Sequence, residues 1–353
     1  MSIKNKYIGI LLTATMMLLS ACSSDDPEAQ TVTTGEEPVG KVVQLVSYAS
    51  PFTDKELSHR AAPAGFSAYT PDKTTSMGIY TLLSEDWANP KEEKIIYNNN
   101  KWHAFFEVTA DKTYTVYGYM PKTGEMSSTL VKSTADAATL TITGIKPVTT
   151  EDICIITGAK DTDEGLKEGQ FSWYWPISAG DENYKIHLLM DHLYAAALFS
   201  LKIDTDYALL RTIKLKTMTL STDNGSVNAT ISLTHNETGA SPISNVTYTA
   251  SGSSDVVVLF NSDEGTALDK SVPLPVNVCF APTLSADLTL VSTYDVYDSK
   301  GNLIRQNCTA TNKLPDLGAV RGQRIQLNMT VNPTYLYVLS DPDLDNPTIT
   351  IEN

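Results

Sequence analysis

Short apolar runs alternate with polar turns along most of this chain, at a spacing typical of β-sheet proteins. The runs are rich in Val, Ile, Thr and Tyr, and Gly, Pro, Asn and Asp separate them. Period-two alternation over such short segments predicts strands rather than helices. In the first half we expect strands at residues 41–49, 77–83, 95–97, 101–108, 113–120, 140–145 and 153–157, with a hairpin turn at 98–100.

The segment that opens the second half is less regular. Residues 186–203 contain three consecutive alanines, which favour helix, whereas Phe199, Leu201 and Ile203 alternate as in a strand. We therefore expect a strand that is entered through a short helical turn. Further strands are predicted at 213–220, 227–233, 256–260, 275–280, 288–296, 304–309 and 324–331.

A polar, glycine-containing stretch at 159–185 separates the two strand-rich halves. This arrangement predicts an all-β chain with an N-terminal β-sandwich at 41–185 and a C-terminal β-sandwich at 186–334. Two domains also suit the length of 353 residues, because domains usually contain about 100 to 200 residues.

The first 22 residues have the composition of an export signal. Lys4 and Lys6 precede an apolar run at 8–19, and Cys22 follows a leucine, a serine and an alanine. The run is about a dozen residues long, which is shorter than the roughly 18 residues needed to span a bilayer. The end of the segment looks like a bacterial lipobox, which would place a lipid on Cys22. The acyl chains of this lipid, which include palmitate, would anchor the protein to the outer membrane. A secreted protein with a chance cysteine is the alternative.

Composition narrows the possible partners of the chain. Residues 23–40 are mostly Ser, Thr, Glu, Asp, Pro and Gly, which predicts a flexible tether between the lipid and the folded part. The chain carries 41 acidic and 26 basic residues, a net charge of -15, which repels nucleic-acid phosphates. Cys154 and Cys279 lie in apolar runs and are expected to be small buried hydrophobes without thiol chemistry.

No pattern of catalytic residues stands out in the sequence. The chain has no GxSxG, HExxH, GxGxxG or P-loop motif, so we expect neither an enzyme nor a cofactor. His187 and His192 stand five residues apart, a spacing that does not bring two ligands to one metal ion, so no metal site is predicted there.

Acidic residues near the C-terminus partly imitate a calcium-binding loop. An EF-hand takes acids at its first, third, fifth and twelfth positions, and Asp341, Asp343, Asp345 and Glu352 have this spacing. Asn346 stands where the loop requires glycine, and we therefore favour a solvated acidic linker.

An aromatic cluster at 171–175 offers a second functional interpretation. Trp173 and Trp175 could stack on sugar rings, which would make the protein an anchored outer-membrane glycan-binding lipoprotein. Packing between sandwich domains is the simpler explanation of the same cluster.

Several short motifs together resemble the fimbrillin family, the subunits of Bacteroidetes type V pili. They are the lipobox followed by acidic residues, and the segments 77–80, 100–102, 117–121 and 190–193. The resemblance implies two tandem transthyretin-like β-sandwiches and a role as a pilin in a cell-surface fimbria that serves adhesion. The partners implied are other pilin subunits, the outer membrane before maturation, and a host or glycan ligand. Stalk, tip and anchor subunits all remain open.

Arg60 matches the position at which fimbrillins are cut during maturation. The small residues at 61–65 after it would suit a trypsin-like protease, which would cleave between Arg60 and Ala61. The cut would remove the first strand with Val43, Leu45 and Val46, leaving a groove. An ordinary arginine in a surface loop is the alternative.

The C-terminal tail at 335–353 contains apolar residues that could fill such a groove in another subunit. These residues are Tyr335, Tyr337, Leu339, Ile349 and Ile351. Fully extended, the tail reaches about 60 Å, and strand addition to an exposed edge is an established mode of binding. The sequence therefore predicts that subunits polymerise by strand exchange.

Overall fold

The structure is a computed structural model, and it describes residues 41–49, 52–54, 67–68, 74–162, 171–178, 184–235, 242–331 and 348–351. These residues belong to one compact unit, Gly40–Asn353. Strands dominate them, and their only helical segments are 3₁₀ turns at Tyr207–Leu209 and Pro282–Leu284. No helix in this part of the chain is long and apolar enough to cross a membrane. The all-β prediction is confirmed.

The described residues form strands numbered here in chain order. They are β1 (Lys41–Ala49), β2 (Thr53–Asp54), β3 (Ser67–Ala68), β4 (Thr75–Leu83), β5 (Glu92–Asn98), β6 (Lys101–Phe106), β7 (Thr113–Met120), β8 (Ser127–Lys132), β9 (Ala137–Ile145), β10 (Val148–Thr149), β11 (Cys154–Lys160), β12 (Tyr174–Pro176), β13 (Tyr184–His192), β14 (Ala195–Ile203), β15 (Arg211–Thr222), β16 (Ser226–Thr234), β17 (Ile243–Ser251), β18 (Asp255–Ala267), β19 (Leu274–Phe280), β20 (Thr289–Asp298), β21 (Leu303–Lys313), β22 (Gln323–Val331) and β23 (Thr348–Ile351).

The first sheet closes on itself through hydrogen bonds. Its strands follow the order β11-β13-β1-β6-β5-β4-β7, and β7 pairs again with β11. The strand pattern predicts two separate sheets of a sandwich in this half, whereas the backbone pairing runs continuously around seven strands. Alternate side chains point inward and form one buried cluster, which includes Val43, Ile79, Phe106 and Ile186.

The second half forms two sheets that face each other. One sheet has the order β10-β19-β14-β22-β2, with β23 also paired to β22, and the other has the order β18-β15-β20-β21. Their inner faces share a second apolar cluster, which includes Phe199, Ile213, Leu290 and Leu327. This cluster is the apolar core between the two sheets.

A further sheet combines strands from both halves of the sequence, in the order β17-β16-β9-β8. One face of this sheet packs on a third apolar cluster. The outward side chains of β4 and β7 belong to this cluster, among them Tyr80 and Tyr117. In addition, β13 belongs to the first sheet although most of it follows residue 185. Strand pairing therefore crosses the position at which the sequence suggested a domain boundary.

The prediction of a short helical turn within residues 186–203 is wrong. Two strands, β13 and β14, meet there at Leu193 and Tyr194. The three alanines lie in β14, which pairs with β19 on one side and with β22 on the other. Pairing and packing on both sides of β14 outweigh the helix propensity of alanine, because tertiary context overrides intrinsic propensity.

Candidate functional site

The first strand, which the sequence marks as removable, lies between two others in the closed sheet. Val43 to Ala49 pair in parallel with β13, and Lys41 to Val43 pair antiparallel with β6. Val43 and Leu45 point into the core and are 1% and 5% exposed, whereas Val46 is half-buried. The strand is thus an integral part of the first sheet.

Contacts of the Tyr48 side chain, near the end of β1, hold this strand against its neighbours. The Tyr48 hydroxyl lies 3.0 Å from Nδ1 of His187, and the ring of Tyr48 meets Phe171 edge to face. The short strand β3 pairs with Tyr48 and Ala49. The chain therefore leaves the end of β1, forms β2, and returns to β1 at β3.

After β1 the chain crosses to the second sheet. Strand β2 pairs in parallel with Gln323 and Arg324 at the start of β22. The amide of Thr53 donates to the carbonyl oxygen of Gly322 at 3.0 Å, and the Thr53 hydroxyl donates to the same oxygen at 3.3 Å. Phe52 stacks on His192 just before this contact. Residues 41–54 therefore link the closed sheet to the edge of the C-terminal sandwich.

The C-terminal strand β23 also pairs with β22, the strand with which β2 pairs. It pairs antiparallel with Leu327 to Thr330, with Ile351 opposite Leu327 and Ile349 opposite Met329. Strand β14 occupies the other edge of β22 from Arg324 to Val331. Strands β2 and β23 therefore share one edge of β22, β2 at its start and β23 further along.

Several residues singled out from the sequence lie outside the described residues. They are Cys22, Arg60, Ala61, Tyr335, Tyr337, Leu339 and the acidic residues Asp341, Asp343, Asp345 and Glu352. Lipidation, cleavage and the first part of the donor tail therefore stay predictions.

The proposed sugar-stacking platform is wrong, because both of its tryptophans are buried. Trp173 is 4% exposed and lies against Tyr117, with ring centroids 5.0 Å apart. Trp175 is 1% exposed and meets Phe106 edge to face, and its indole nitrogen donates to the carbonyl oxygen of Lys185 at 3.1 Å. Both rings are core residues without a free face for a pyranose, which leaves the glycan-binding alternative without its platform.

The two histidines of β13 have different surroundings. Residues five apart on one strand face opposite sides, and His187 contacts Tyr48, whereas Nδ1 of His192 lies 2.5 Å from Oδ2 of Asp152. Asp152 precedes β11, the antiparallel neighbour of β13. Sequence reasoning missed this pair because the two residues are distant in sequence and neither belongs to a recognisable motif.

Cys154 and Cys279 are buried, as their apolar neighbours in the sequence predict. Burial raises the pKa of the Cys154 thiol well above its ordinary value, and the nearby Asp152 carboxylate adds to the effect. Burial also raises the pKa of the Cys279 thiol. Burial therefore favours the protonated form of both thiols.

A small cavity lies in the core of the C-terminal sandwich. Its volume is about 30 Å³, and its walls include Leu201, Leu215, Tyr294, Met329 and Val331. Sites for small molecules usually have volumes of about 300 to 1,000 Å³. This cavity is therefore a packing defect and not a ligand site.

Comparisons with known proteins returned solved structures of low sequence identity. No family model and no curated protein matches the chain. Among solved structures, the chain is similar to a proposed cell adhesion protein from Bacteroides uniformis, with 12% identity, coverage of 90% of this chain and 98% of the other, and a TM-score of 0.40. It is similar to a proposed cell adhesion protein from Bacteroides fragilis, with 10% identity, coverage of 89% and 97%, and a TM-score of 0.44. A fimbrial protein from Bacteroides vulgatus matches with 16% identity, coverage of 88% and 98%, and a TM-score of 0.38.

Proposed function

We propose that this chain is a structural subunit of a cell-surface fimbria that serves adhesion. It would reach the outer membrane as a lipoprotein precursor anchored at Cys22, and a trypsin-like protease would cut it after Arg60. Subunits would then polymerise through their C-terminal strands. The path of residues 41–54, which link the closed sheet to the edge of β22, is the observation that supports the proposal most strongly.

Loss of residues 41–60 would open the first sheet between β13 and β6, since β1 pairs with both. It would also free the start of the β22 edge, where β2 pairs. Burying one large apolar side chain contributes about 1.5 to 3 kcal/mol, so exposing the sites of Val43 and Leu45 costs several kcal/mol. A cut subunit therefore gains stability when another strand fills the groove.

The tail of another subunit has the length and the pattern to fill this groove. Strand β23 already pairs with β22 beside β2, so the tail is compatible with that edge. The tail at 335–353 reaches about 60 Å when extended, more than the roughly 45 to 50 Å spanned by residues 41–54. Main-chain hydrogen bonds would provide affinity, and alternate side chains such as Ile349 and Ile351 would provide specificity.

Controlled cleavage of the purified full chain tests the proposal. An arginine-specific protease should produce a chain that starts at Ala61, and this product should form polymers visible by electron microscopy. Arg60→Ala should prevent both cleavage and polymerisation. Arg211→Ala, which removes another arginine, should leave both unchanged.

Variants of the tail test the role of the donor strand. Deletion of residues 335–353 should still allow cleavage but should abolish polymerisation. Ile349→Asp with Ile351→Asp should have the same effect, whereas Thr350→Asp, on the opposite face of the strand, should have a smaller one. Polymers from the deleted chain would refute the donor assignment, and a product cut at Ala61 that stays monomeric would refute the proposed function.

A further inference from the structure

Three side chains of different chemistry meet at one end of the first sheet. Cys154, the first residue of β11, lies opposite His192, the last residue of β13, in the antiparallel register of these strands. Oδ2 of Asp152 lies 2.5 Å from Nδ1 of His192 and 2.9 Å from Sγ of Cys154. One sulfur, one nitrogen and one oxygen atom thus lie within 4.8 Å of one another.

Within the part of the chain that the structure describes, only one of the two carboxylate oxygens of Asp152 has hydrogen-bond partners in this arrangement. Its Oδ2 accepts hydrogen bonds from both the thiol and the imidazole, whereas its buried Oδ1 has no hydrogen-bond partner among the described residues. A buried acceptor without a hydrogen bond destabilises the fold, and more so when the group is charged. A cation at this place would engage the second oxygen atom.

We propose that Asp152, Cys154 and His192 form a binding site for a transition-metal ion, with Zn²⁺ as the ion that best fits the donor set. Zinc binds thiolate sulfur, imidazole nitrogen and carboxylate oxygen, usually with four donor atoms. Sγ of Cys154, Nδ1 of His192 and the two carboxylate oxygens of Asp152 supply four.

The charges of the site balance when zinc is bound. Starting from a neutral imidazole, the Cys154 thiol releases its proton to the solvent, and the imidazole hydrogen moves from Nδ1 to Nε2. The thiolate and the carboxylate then compensate the two positive charges of the ion. A neutral cluster is far less costly to bury than the isolated carboxylate.

Neighbouring residues hold the side chain and backbone of His192 in place, and the cluster is accessible to solvent beside Asp152. Arg321 donates from Nη1 to Oδ2 of Asp191 at 2.8 Å and to the carbonyl oxygen of His192 at 2.7 Å, which fixes the backbone at the histidine. Phe52 covers the face of the His192 ring. The side chain of Asp152 is 15% exposed, so an ion can reach the cluster past this residue.

Titration with Co²⁺ tests the site, because cobalt replaces zinc and reports its ligands by absorption. The full chain in a Cys22→Ser background should bind one equivalent, with a sulfur-to-cobalt charge-transfer band in the near ultraviolet and the visible bands of tetrahedral cobalt. Excess Zn²⁺ should remove these bands. Cys154→Ser and Asp152→Asn should each abolish the charge-transfer band or weaken binding at least tenfold, whereas Cys279→Ser and Cys308→Ser should retain it.

The proposal is overturned if the parent chain shows no charge-transfer band, or if Cys154→Ser keeps it. Circular dichroism identifies variants that fail to fold. If Cys154→Ser does not fold, X-ray absorption spectroscopy of the zinc-loaded parent chain tests the proposal instead. The site requires one sulfur at about 2.3 Å and nitrogen or oxygen at about 2.0 to 2.2 Å, and a shell without sulfur contradicts it.

Discussion

The phenyl ring of Phe52 stacks on the imidazole ring of His192, with centroids 3.7 Å apart and planes inclined by 17°. Phe52 follows the first strand, whereas His192 ends β13 and also meets Asp152. The stack therefore joins the segment that maturation would remove to the part of the subunit that would stay.

Replacing Phe52 with alanine should loosen the connection between β1 and β22. The half-buried ring should contribute about 1 to 3 kcal/mol to the free energy of unfolding, below the 3 to 5 kcal/mol of a fully buried phenylalanine. Urea denaturation measures the loss. Phe105→Ala, at a side chain that is 38% exposed on β6, is the control and should cost less. Equal losses would show that the stack contributes nothing specific.

Truncating Leu45 should destabilise the uncut chain strongly. Its side chain is 5% exposed in the core of the closed sheet, and Leu→Ala at such sites costs about 2 to 5 kcal/mol. Gln44 is its exposed neighbour on β1, and Gln44→Ala should change the free energy of unfolding by about 0.5 kcal/mol or less. A small effect of Leu45→Ala would mean that β1 is not part of the cooperative fold.

A methyl group at Gly118 should not fit between β7 and β4. A Cβ atom there would overlap the carbonyl oxygen of Gly78 and approach Cδ1 of Ile156 to 2.9 Å. We expect Gly118→Ala to lower the free energy of unfolding by about 1 to 3 kcal/mol, as overpacking does. Gly124 has no atom within 4 Å of the corresponding position, so Gly124→Ala should be neutral. Equal stabilities of the two variants would contradict the close approach of the strands.

Alkaline pH should destabilise the fold through Tyr117. Burial raises the pKa of Tyr117 to about 12 from its ordinary value of 10.0. The folded chain therefore holds this proton more tightly than the unfolded chain does, and the stability it contributes below pH 10 is lost as pH rises toward 12. Tyr117→Phe should flatten the decline of the free energy of unfolding between pH 10 and 12. An unchanged slope would show that other groups account for it.

Loss of Trp175 should affect stability and not sugar binding. The indole is buried and donates a hydrogen bond to Lys185, so Trp175→Ala should cost about 3 to 5 kcal/mol. Affinity electrophoresis in polysaccharide gels should show the same mobility for the variant and the parent chain below the unfolding temperature. Retardation of the parent chain alone would restore a role for the tryptophans in binding.

Local pattern determined most of the segments of this protein that form strands, although it missed β8 and β17. Alternating residues predicted β1 and β7 with the bounds that the structure has, and the asparagines at the hairpin adopt the expected left-handed conformation, with φ of 49° at Asn99 and 61° at Asn100. These features depend on side chains close together in sequence, and period and turn chemistry are therefore sufficient to find them.

Tertiary structure alone decided which strands meet. Closure of the first sheet by β7 and β11, the place of β1 beside β13, and the convergence of Asp152, Cys154 and His192 all join residues distant in sequence. A strand pattern specifies which face of a strand is apolar, but it leaves both backbone edges able to pair with any other strand. The partners are selected only when whole apolar faces are buried together, which is why the sequence predicted the strands and not their neighbours.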